Sequence, residues 1–506
     1  MSAPVMSPPA RLAGPREWAA LVPLTLAVAL LAVDGTVLAL AVPSLTVDLD
    51  ASSTQLLWIG DIYSFALAGL LISMGTLADR IGRKRLLVIG AAGFGLASLL
   101  AAFAPGAGWL IAARALLGVA GATLMPSTLS IVRNLFPDDR QRTRAVAIWS
   151  TGGAGGAALG PIVGGVLLEH FWWGSVFVIN LPVMVLTVVT VLWLVPESRN
   201  PRPGRFDLVS AVLSVIAIVP LVWAVKHTTH DGADGFGLGA ALAGLAFGLI
   251  FVRRQRILPD PLVDVTLFRR PAFAGTVLAS FIAIFAFSGL LYFFSQYLQL
   301  VQGYSPLRAG LRELPLTIAS IVVVVVAVPM IARFGVGRSL GASLLVSALG
   351  FAVLSVFETA DGYAGLALGL VVIGLGVGIV FTAATDAVLG SVPHERAGAA
   401  SAISEMSYEL GVAVGIAVLG SLQGVLYRHH LPDLSGLPRP VGAAVNDSLA
   451  RATQALGGGD VLAGARHAFA EAMQATSWIA AVLLVLAGVL AWKVVPTSPS
   501  PSAPRS

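Results

Sequence analysis

Runs of about 20 apolar residues recur along the chain, separated by short polar connections. At 1.5 Å per residue, a run of that length matches the roughly 30 Å hydrocarbon core of a bilayer. The pattern predicts fourteen spans, at roughly 19–41, 56–78, 86–104, 109–132, 145–168, 174–195, 207–226, 236–252, 274–299, 310–332, 339–357, 363–387, 398–425 and 476–495. Lipid offers the backbone no hydrogen-bond partner, so each span is expected to be an α-helix. The predicted class is an all-α polytopic membrane protein. One long connection, 427–475, is predicted to hold two short amphipathic helices, 441–456 and 461–473, around Gly457, Gly458 and Gly459.

Composition agrees with this class. Of 506 residues, 57% are hydrophobic and 11% charged, against about 45–50% and 25% in soluble domains. The net charge of +5 is spread over short loops and not gathered in a patch, which argues against a nucleic-acid partner. Cysteine is absent, which excludes disulfides and thiolate metal sites; no metal and no cofactor is expected. No P-loop pattern is present, which disfavours an ATP-driven activity. The polar start MSAPVMSPPARLAGPRE runs straight into an oily segment without a small-residue cleavage site, so it is read as a tail before a retained span.

Arginine and lysine sort by loop. One set of connections carries Arg80, Arg83, Lys84, Arg85, Arg133, Arg140, Arg142, Arg144, Arg253, Arg254 and Arg256 among others, while the opposite set has only Lys226, Arg308, Arg312, Arg428, Arg439, Arg451 and Arg466. The rich set is expected to be cytoplasmic, with both termini on that side. The chain also repeats itself. Arg80 after the second span matches Arg333 after the tenth, and Pro137 with Arg140 matches Pro393 with Arg396. The repeat predicts a tail 1–17, a six-helix bundle 18–196, a linker 197–272 with spans 7 and 8, a second bundle 273–496 including the loop 427–475, and a tail 497–506. Duplicated bundles are typical of transporters with a site at the repeat interface.

Four acids lie inside the oily runs: Asp34, Asp61, Glu405 and Glu409. A charge at the bilayer centre costs roughly 2.5–3.5 kcal/mol on insertion scales, which marks such residues as functional candidates. Arg114 is the basic residue within a span and lies at a depth similar to Asp34, so the two are read either as a structural ion pair or as a pair that a proton exchanges. Trp58, Asp61 and Phe65 share a helix face, and an acid between aromatics suits a flat lipophilic cation; Trp58 also fits an interfacial belt position. Glu405 and Glu409 are helical neighbours flanking Tyr408. Their mutual repulsion makes them a candidate proton store or a seat for a second positive charge. Asp386 near the end of span 12 reads as a solvated helix end, and Tyr292, Phe293, Phe294 and Tyr297 on span 9 as packing or cavity lining.

Gly75-Thr-Leu-Ala-Asp79-Arg80-Ile-Gly82-Arg83 closes span 2, with glycines for a tight turn and Asp79 placed to cap a helix or pair with an arginine. This segment resembles the cytoplasmic gating loop of the major facilitator superfamily. Asp34 to Pro43, the run Gly156, Gly160, Pro161, Gly164 and Gly165, and the stretch from Trp173 to Pro182 with Asn180 resemble the signatures of its fourteen-span drug:proton antiporters. Residues 58–69 and Glu405 to Glu409 are similar to the QacA type among them. The glycine run also reads simply as close helix packing. Where the family's fourth-helix pattern carries Gln after the arginine, this chain has Leu117. Where some relatives carry an acid on the tenth span, Ser320 stands in a region read as uncharged.

The resemblance implies two six-helix bundles with two inserted helices and export of lipophilic, cationic drugs or antiseptics driven by the proton gradient. It also implies a monomer in the cytoplasmic membrane, acting as a secondary transporter and not an enzyme. The remaining alternatives are a dedicated antibiotic self-resistance exporter with a narrow, even neutral, substrate, a nutrient symporter, and a non-transporting sensor.

Overall fold

A computed structural model describes residues 12–199, 207–232, 234–259, 261–359, 362–390 and 397–495. The tails, most of the segment after span 6, and the Pro393–Arg396 copy of the loop signature lie outside the described residues, as does the side chain of Asp386. The described chain is helical: α1 (Pro15–Leu49), α2 (Ser53–Ile81), α3 (Arg83–Ala102), α4 (Ala107–Leu135), α5 (Asp139–His170), the short α6 (Ser175–Val178), α7 (Asn180–Leu194), α8 (Leu208–Asp231), α9 (Gly235–Ile257), α10 (Pro271–Gln296), α11 (Pro306–Val322), α12 (Val324–Phe334), α13 (Val336–Phe357), α14 (Ala364–Gly390), α15 (Ala397–His430), α16 (Arg439–Asp447), α17 (Leu449–Leu456) and α18 (Asp460–Val494).

Thirteen of these helices are long and apolar enough to cross a membrane, and α11 with α12 makes a fourteenth span bent by 42°. Every predicted span falls on one of them. Many of their hydroxyl side chains bond back within the helix: Thr36 donates to the Ala32 carbonyl at 3.1 Å and Thr276 to Ala272 at 2.7 Å.

The buried apolar side chains form two main cores. One is built almost wholly from α1–α7 and the other from α10–α18. The bundles meet along α2 and α15, α5 and α11, and α1 and α10. The pair α8–α9 packs on the outside of the α2–α15 seam through α8. Only 11% of the apolar window of α9 is buried, against 67% in α1, so α9 faces lipid. Asp207 caps α8 by accepting the Ser210 N–H at 3.0 Å and pairs with Arg254 of α9 at 2.9 Å. Partial burial opposes its charge, but the Arg254 and Ser210 bonds outweigh this and hold its carboxyl below the usual range.

The repeat is visible in the backbone. Gly82 (φ +115°) joins α2 to α3 and Gly335 (φ +80°) joins α12 to α13, each at a left-handed position that disfavours a side chain. They carry the same spacing as Arg80 and Arg333.

The long connection differs from expectation. The segment 441–456 is two helices, broken at Ser448, whose hydroxyl caps α17 by accepting the Arg451 N–H at 3.4 Å. The segment 461–473 is not separate: α18 runs unbroken from Asp460 into the last span. No proline interrupts Asp460 to Val494, the helix passes through Gly464 unbroken, and the apolar side chains of Val461 to Met473 continue the face that packs against the second core.

Candidate functional site

The centre of the first bundle is organised around Arg114. Its Nη1 donates to Asp34 Oδ2 at 2.5 Å, its Nε to the Ile59 carbonyl at 3.1 Å, and its guanidinium lies 4.6 Å from the Tyr63 ring centroid. Asp34 and Arg114 are each 1% exposed. Asn180, at the start of α7, donates to Asp34 Oδ1 at 3.4 Å and to Ser98 of α3 at 3.0 Å. Five helices therefore hold one ion pair. Leu117, where the family pattern carries Gln, is fully buried and adds no polar group, and the network around the ion pair is built from other residues. Asn180, Tyr63 and the Ile59 carbonyl supply the contacts.

Asp61 is fully buried and sits 2.6 Å from Lys226 Nζ, which also lies 3.8 Å from the centroid of the Trp58 ring. This overturns the assignment of Lys226 to an outer loop. Helix α8 continues past it to Asp231, and its side chain is 2% exposed. Trp58 is thus engaged with a cation from a neighbouring helix. Phe65 on the same face is packed between Val222 of α8 and Ala413 and Ala417 of α15. The only sequence signal for Lys226 was its place at the edge of a span in a chain with three lysines.

Glu405 and Glu409 stand on α15 across the seam, both partly exposed. Glu409 accepts a hydrogen bond from Ser64 of α2 and lies within the field of Glu405 and Arg114. Tyr408 lies close to both glutamates and packs against Phe381 of α14, with ring centroids 5.6 Å apart. Asp61 also feels Arg114, and Tyr63 feels Asp34, Glu409 and Arg114. The four acids and two cations therefore share one electrostatic neighbourhood across the α2–α15 seam. Of the span 9 aromatics, Tyr292 joins its edge, donating to the Leu56 carbonyl at 2.9 Å, while Phe294 and Tyr297 are fully buried in the second core.

Two further buried acids escaped the sequence reading. Glu313 on α11 is 2% exposed and bonded by Ser295, so the tenth span does carry an acid, two turns before Ser320. Glu358, at the end of α13, is 2% exposed and accepts from Ser477 at 2.8 Å. Glu313 lies inside the predicted span 310–332 beside Arg312, so its position alone could have marked it, while Glu358 directly follows the predicted span 339–357.

The turn between α2 and α3 is pinned at its base. Arg83 bonds Asp79 through Nε and Nη2 at 3.0 and 2.9 Å, so Asp79 pairs with an arginine and does not cap a helix. Glu197, beyond α7, accepts the Lys84 N–H at 3.2 Å and closes over Gly82, where a Cβ would collide with its carboxylate. Gly75 faces Pro126 of α4, and Arg80 is exposed. On α5, Gly152, Gly156, Gly160 and Gly164 form a stripe against α1. A Cβ at Gly156 would overlap the Ala29 carbonyl, and one at Gly160 the Thr36 hydroxyl. Gly165 and Pro161 instead face Leu307 and Gly310 of α11, so this run packs both within its bundle and across to the other.

The opposite face is latched. Asp447 accepts the Ser53 N–H at 3.1 Å, and Arg451 Nη2 reaches Asp50 Oδ1 at 2.5 Å and the Asp50 carbonyl at 2.7 Å. Ser305 donates to Glu169 at 3.0 Å, and Gln299 to the Leu40 carbonyl at 3.1 Å.

Residues 24–416 match the sequence profile of the Major Facilitator Superfamily. The chain is 45% identical over 481 residues to the multidrug efflux pump LfrA of Mycolicibacterium smegmatis, a match covering 94% of this chain and 95% of that protein. It is 36% identical to the methyl viologen resistance protein SmvA of Salmonella typhimurium, covering 94% and 98%. It is also 36% identical over 444 residues to the tetracenomycin C resistance and export protein of Streptomyces glaucescens, covering 86% and 82%. Among solved structures, a bacterial homologue of the human lysosomal transporter Spinster, in an inward-facing conformation, superposes with a TM-score of 0.66 at 17% identity, covering 95% of this chain and 97% of that one. At that identity the likeness is one of fold.

Proposed function

The chain belongs to the Major Facilitator Superfamily and its full-length relatives are drug exporters; from that premise we propose a proton-coupled antiporter that expels lipophilic cations from the cell by alternating access. It is a secondary transporter and not an enzyme. One observation carries the coupling: the central cluster holds four carboxylates against two cations, Arg114 and Lys226. Two negative charges in excess are costly at membrane depth unless protons or a cationic substrate neutralise them. Competition between the two for the same carboxylates is the antiport.

In this scheme the basic loops and both termini lie in the cytoplasm, and the latched face, with α16 and α17, lies outside in the cytoplasmic membrane of a bacterium. The protein works as a monomer and needs no cofactor. Drug enters from the cytoplasmic side and binds Asp61, Glu405 and Glu409 beside Trp58 and Tyr408. Release of the latch exposes the cluster, and external protons discharge the drug. Each proton moving down a 100 mV potential contributes about 2.3 kcal/mol. Asp34 with Arg114 is the proton-coupling element. The motif residues Asp79, Arg80 and Arg83, with Gly75 and Gly82, hold the cytoplasmic gate, and Gly156, Gly160, Pro161, Gly164 and Gly165 seal the interface.

Reconstitution in liposomes with an imposed pH gradient tests this. Uptake of ethidium should follow the gradient, collapse with an uncoupler and ignore ATP. Gradient-independent uptake would overturn the coupling. The 36% identity to a tetracenomycin C resistance and export protein supports a second reading, a dedicated exporter of a single antibiotic. A neutral antibiotic transported in preference to ethidium would favour it.

A further inference from the structure

The peripheral helix α8 is 28% buried over its apolar window, less than half the value for α2. Its lysine is nevertheless almost wholly enclosed. The Lys226 ammonium lies over the face of Trp58 at 3.8 Å and against the Asp61 carboxylate at 2.6 Å. Among the described residues, neither charge has another side-chain hydrogen-bond partner. An aromatic face and a carboxylate are also the two features that attract a lipophilic cation.

We propose that Lys226 is a tethered counter-cation seated on Trp58 and Asp61, which a cationic substrate must displace, and that it thereby sets the charge selectivity of the transporter. The inference rests on the reading of Asp61 as a substrate contact. While the site is empty, the ammonium neutralises Asp61 and keeps the seat from holding an unpaired charge. A neutral molecule cannot replace it, because Asp61 would be left uncompensated in a dry setting. A cation can, because it supplies the same charge.

The displaced ammonium has somewhere to go. Lys226 is five residues from the end of α8 at Asp231, about 7.5 Å along the axis. Its flexible stem can carry the charge to the interface while the methylenes stay in oil. Helix α8 itself stays seated without the pair. Ser214 donates to the Gly69 carbonyl at 3.2 Å, Val222 packs on Phe65, and Arg428 of α15 holds the Thr229 carbonyl at 2.6 Å. The inserted helix pair is in this view a self-ligand docked on the seam, and not a spacer between the bundles.

The test is ethidium binding to the full-length protein in nanodiscs, followed by fluorescence, for the wild type and four variants. Lys226→Gln removes the competitor and should bind ethidium at least tenfold more tightly. Lys226→Arg preserves the charge and the fold while gripping Asp61 and Trp58 more firmly, and should bind at least threefold more weakly. In the Asp61→Asn background, Lys226→Gln should change nothing, since the seat is gone. If Asp61→Asn abolishes binding and both Lys226 variants match the wild type, the counter-cation role is overturned and the substrate site stands. If Asp61→Asn binds ethidium as well as the wild type does, the substrate site itself is overturned. Should Lys226→Gln fail to fold, Lys226→Arg alone decides.

Discussion

Replacing Asp34 by Asn separates the structural role of the Asp34–Arg114 pair from its role in coupling. The substitution keeps the side-chain shape and one acceptor for Arg114 Nη1 but removes the compensating charge. Breaking a buried ion pair by neutralising one partner costs roughly 3–5 kcal/mol, because the other charge is left enclosed. Here Arg114 keeps the Ile59 carbonyl and the Tyr63 ring, so a loss near about 3 kcal/mol is expected. Arg114→Leu alone should cost a similar amount by stranding Asp34. The double variant Asp34→Asn with Arg114→Leu should recover much of the loss, since no unpaired charge remains. Thermal unfolding in detergent, compared across the four proteins, measures these differences. Coupling is read separately in liposomes: Asp34→Asn should still bind ethidium but should fail to accumulate it against its gradient when a pH gradient is imposed. The decisive result is the second. If Asp34→Asn is destabilised yet pumps at the wild-type rate under the pH gradient, the pair is a structural strut and the proton is carried elsewhere in the cluster.

The remaining expectations concern packing, the latch and the peripheral pair. Gly156→Val should abolish accumulation of folded protein, because its side chain would occupy the space of the Ala29 backbone, while Gly155→Ala, which meets open space, should be neutral; size-exclusion profiles of the two compare them directly. Arg451→Ala should loosen the latched face by removing the bonds to Asp50. The chain has no cysteine, so a single Leu40→Cys probe, buried where the bundles meet, should label faster with a membrane-impermeant maleimide in that variant; equal rates would rule out a latch at Arg451. The bonds that depress the Asp207 carboxyl contribute stability that is complete above the unfolded value of about 3.9 and lost as pH falls through the lower folded value. Hydrogen exchange at the Ser210 and Ala211 amides should therefore be unchanged between pH 7 and 5 once corrected for intrinsic rates, with protection falling only below about pH 4.

Hydropathy and loop charge were enough to locate the spans, because a lipid-facing helix must be apolar over its own length whatever its neighbours are. The turn glycine at 82 was legible for a similar local reason, since a left-handed turn excludes side chains; Gly335, at the same place in the repeat, came to light only in the backbone. The α17 cap at Ser448 was equally local but was missed, since a break of one residue leaves the amphipathic pattern nearly intact.

The sequence by itself determined that this is a helical membrane protein built on a repeat, with acids enclosed where charge is costly. Those properties follow from terms that act along the chain: the transfer of side chains into lipid, the backbone's need for internal hydrogen bonds, and turn geometry. The pairing of Asp34 with Arg114, three helices away, was legible from their matching depth, and the structure forms it. Only the tertiary structure decided what the other acids face: Asp61 meets Lys226 from an inserted helix, and Glu409 meets Ser64 across the seam. Lys226 shows why. By position it is a charge near the end of a span, and it becomes part of the centre only because α8 docks on α2 and α15 with that face inward. A charge is defined by its partner, and partners are chosen by packing between helices far apart in sequence.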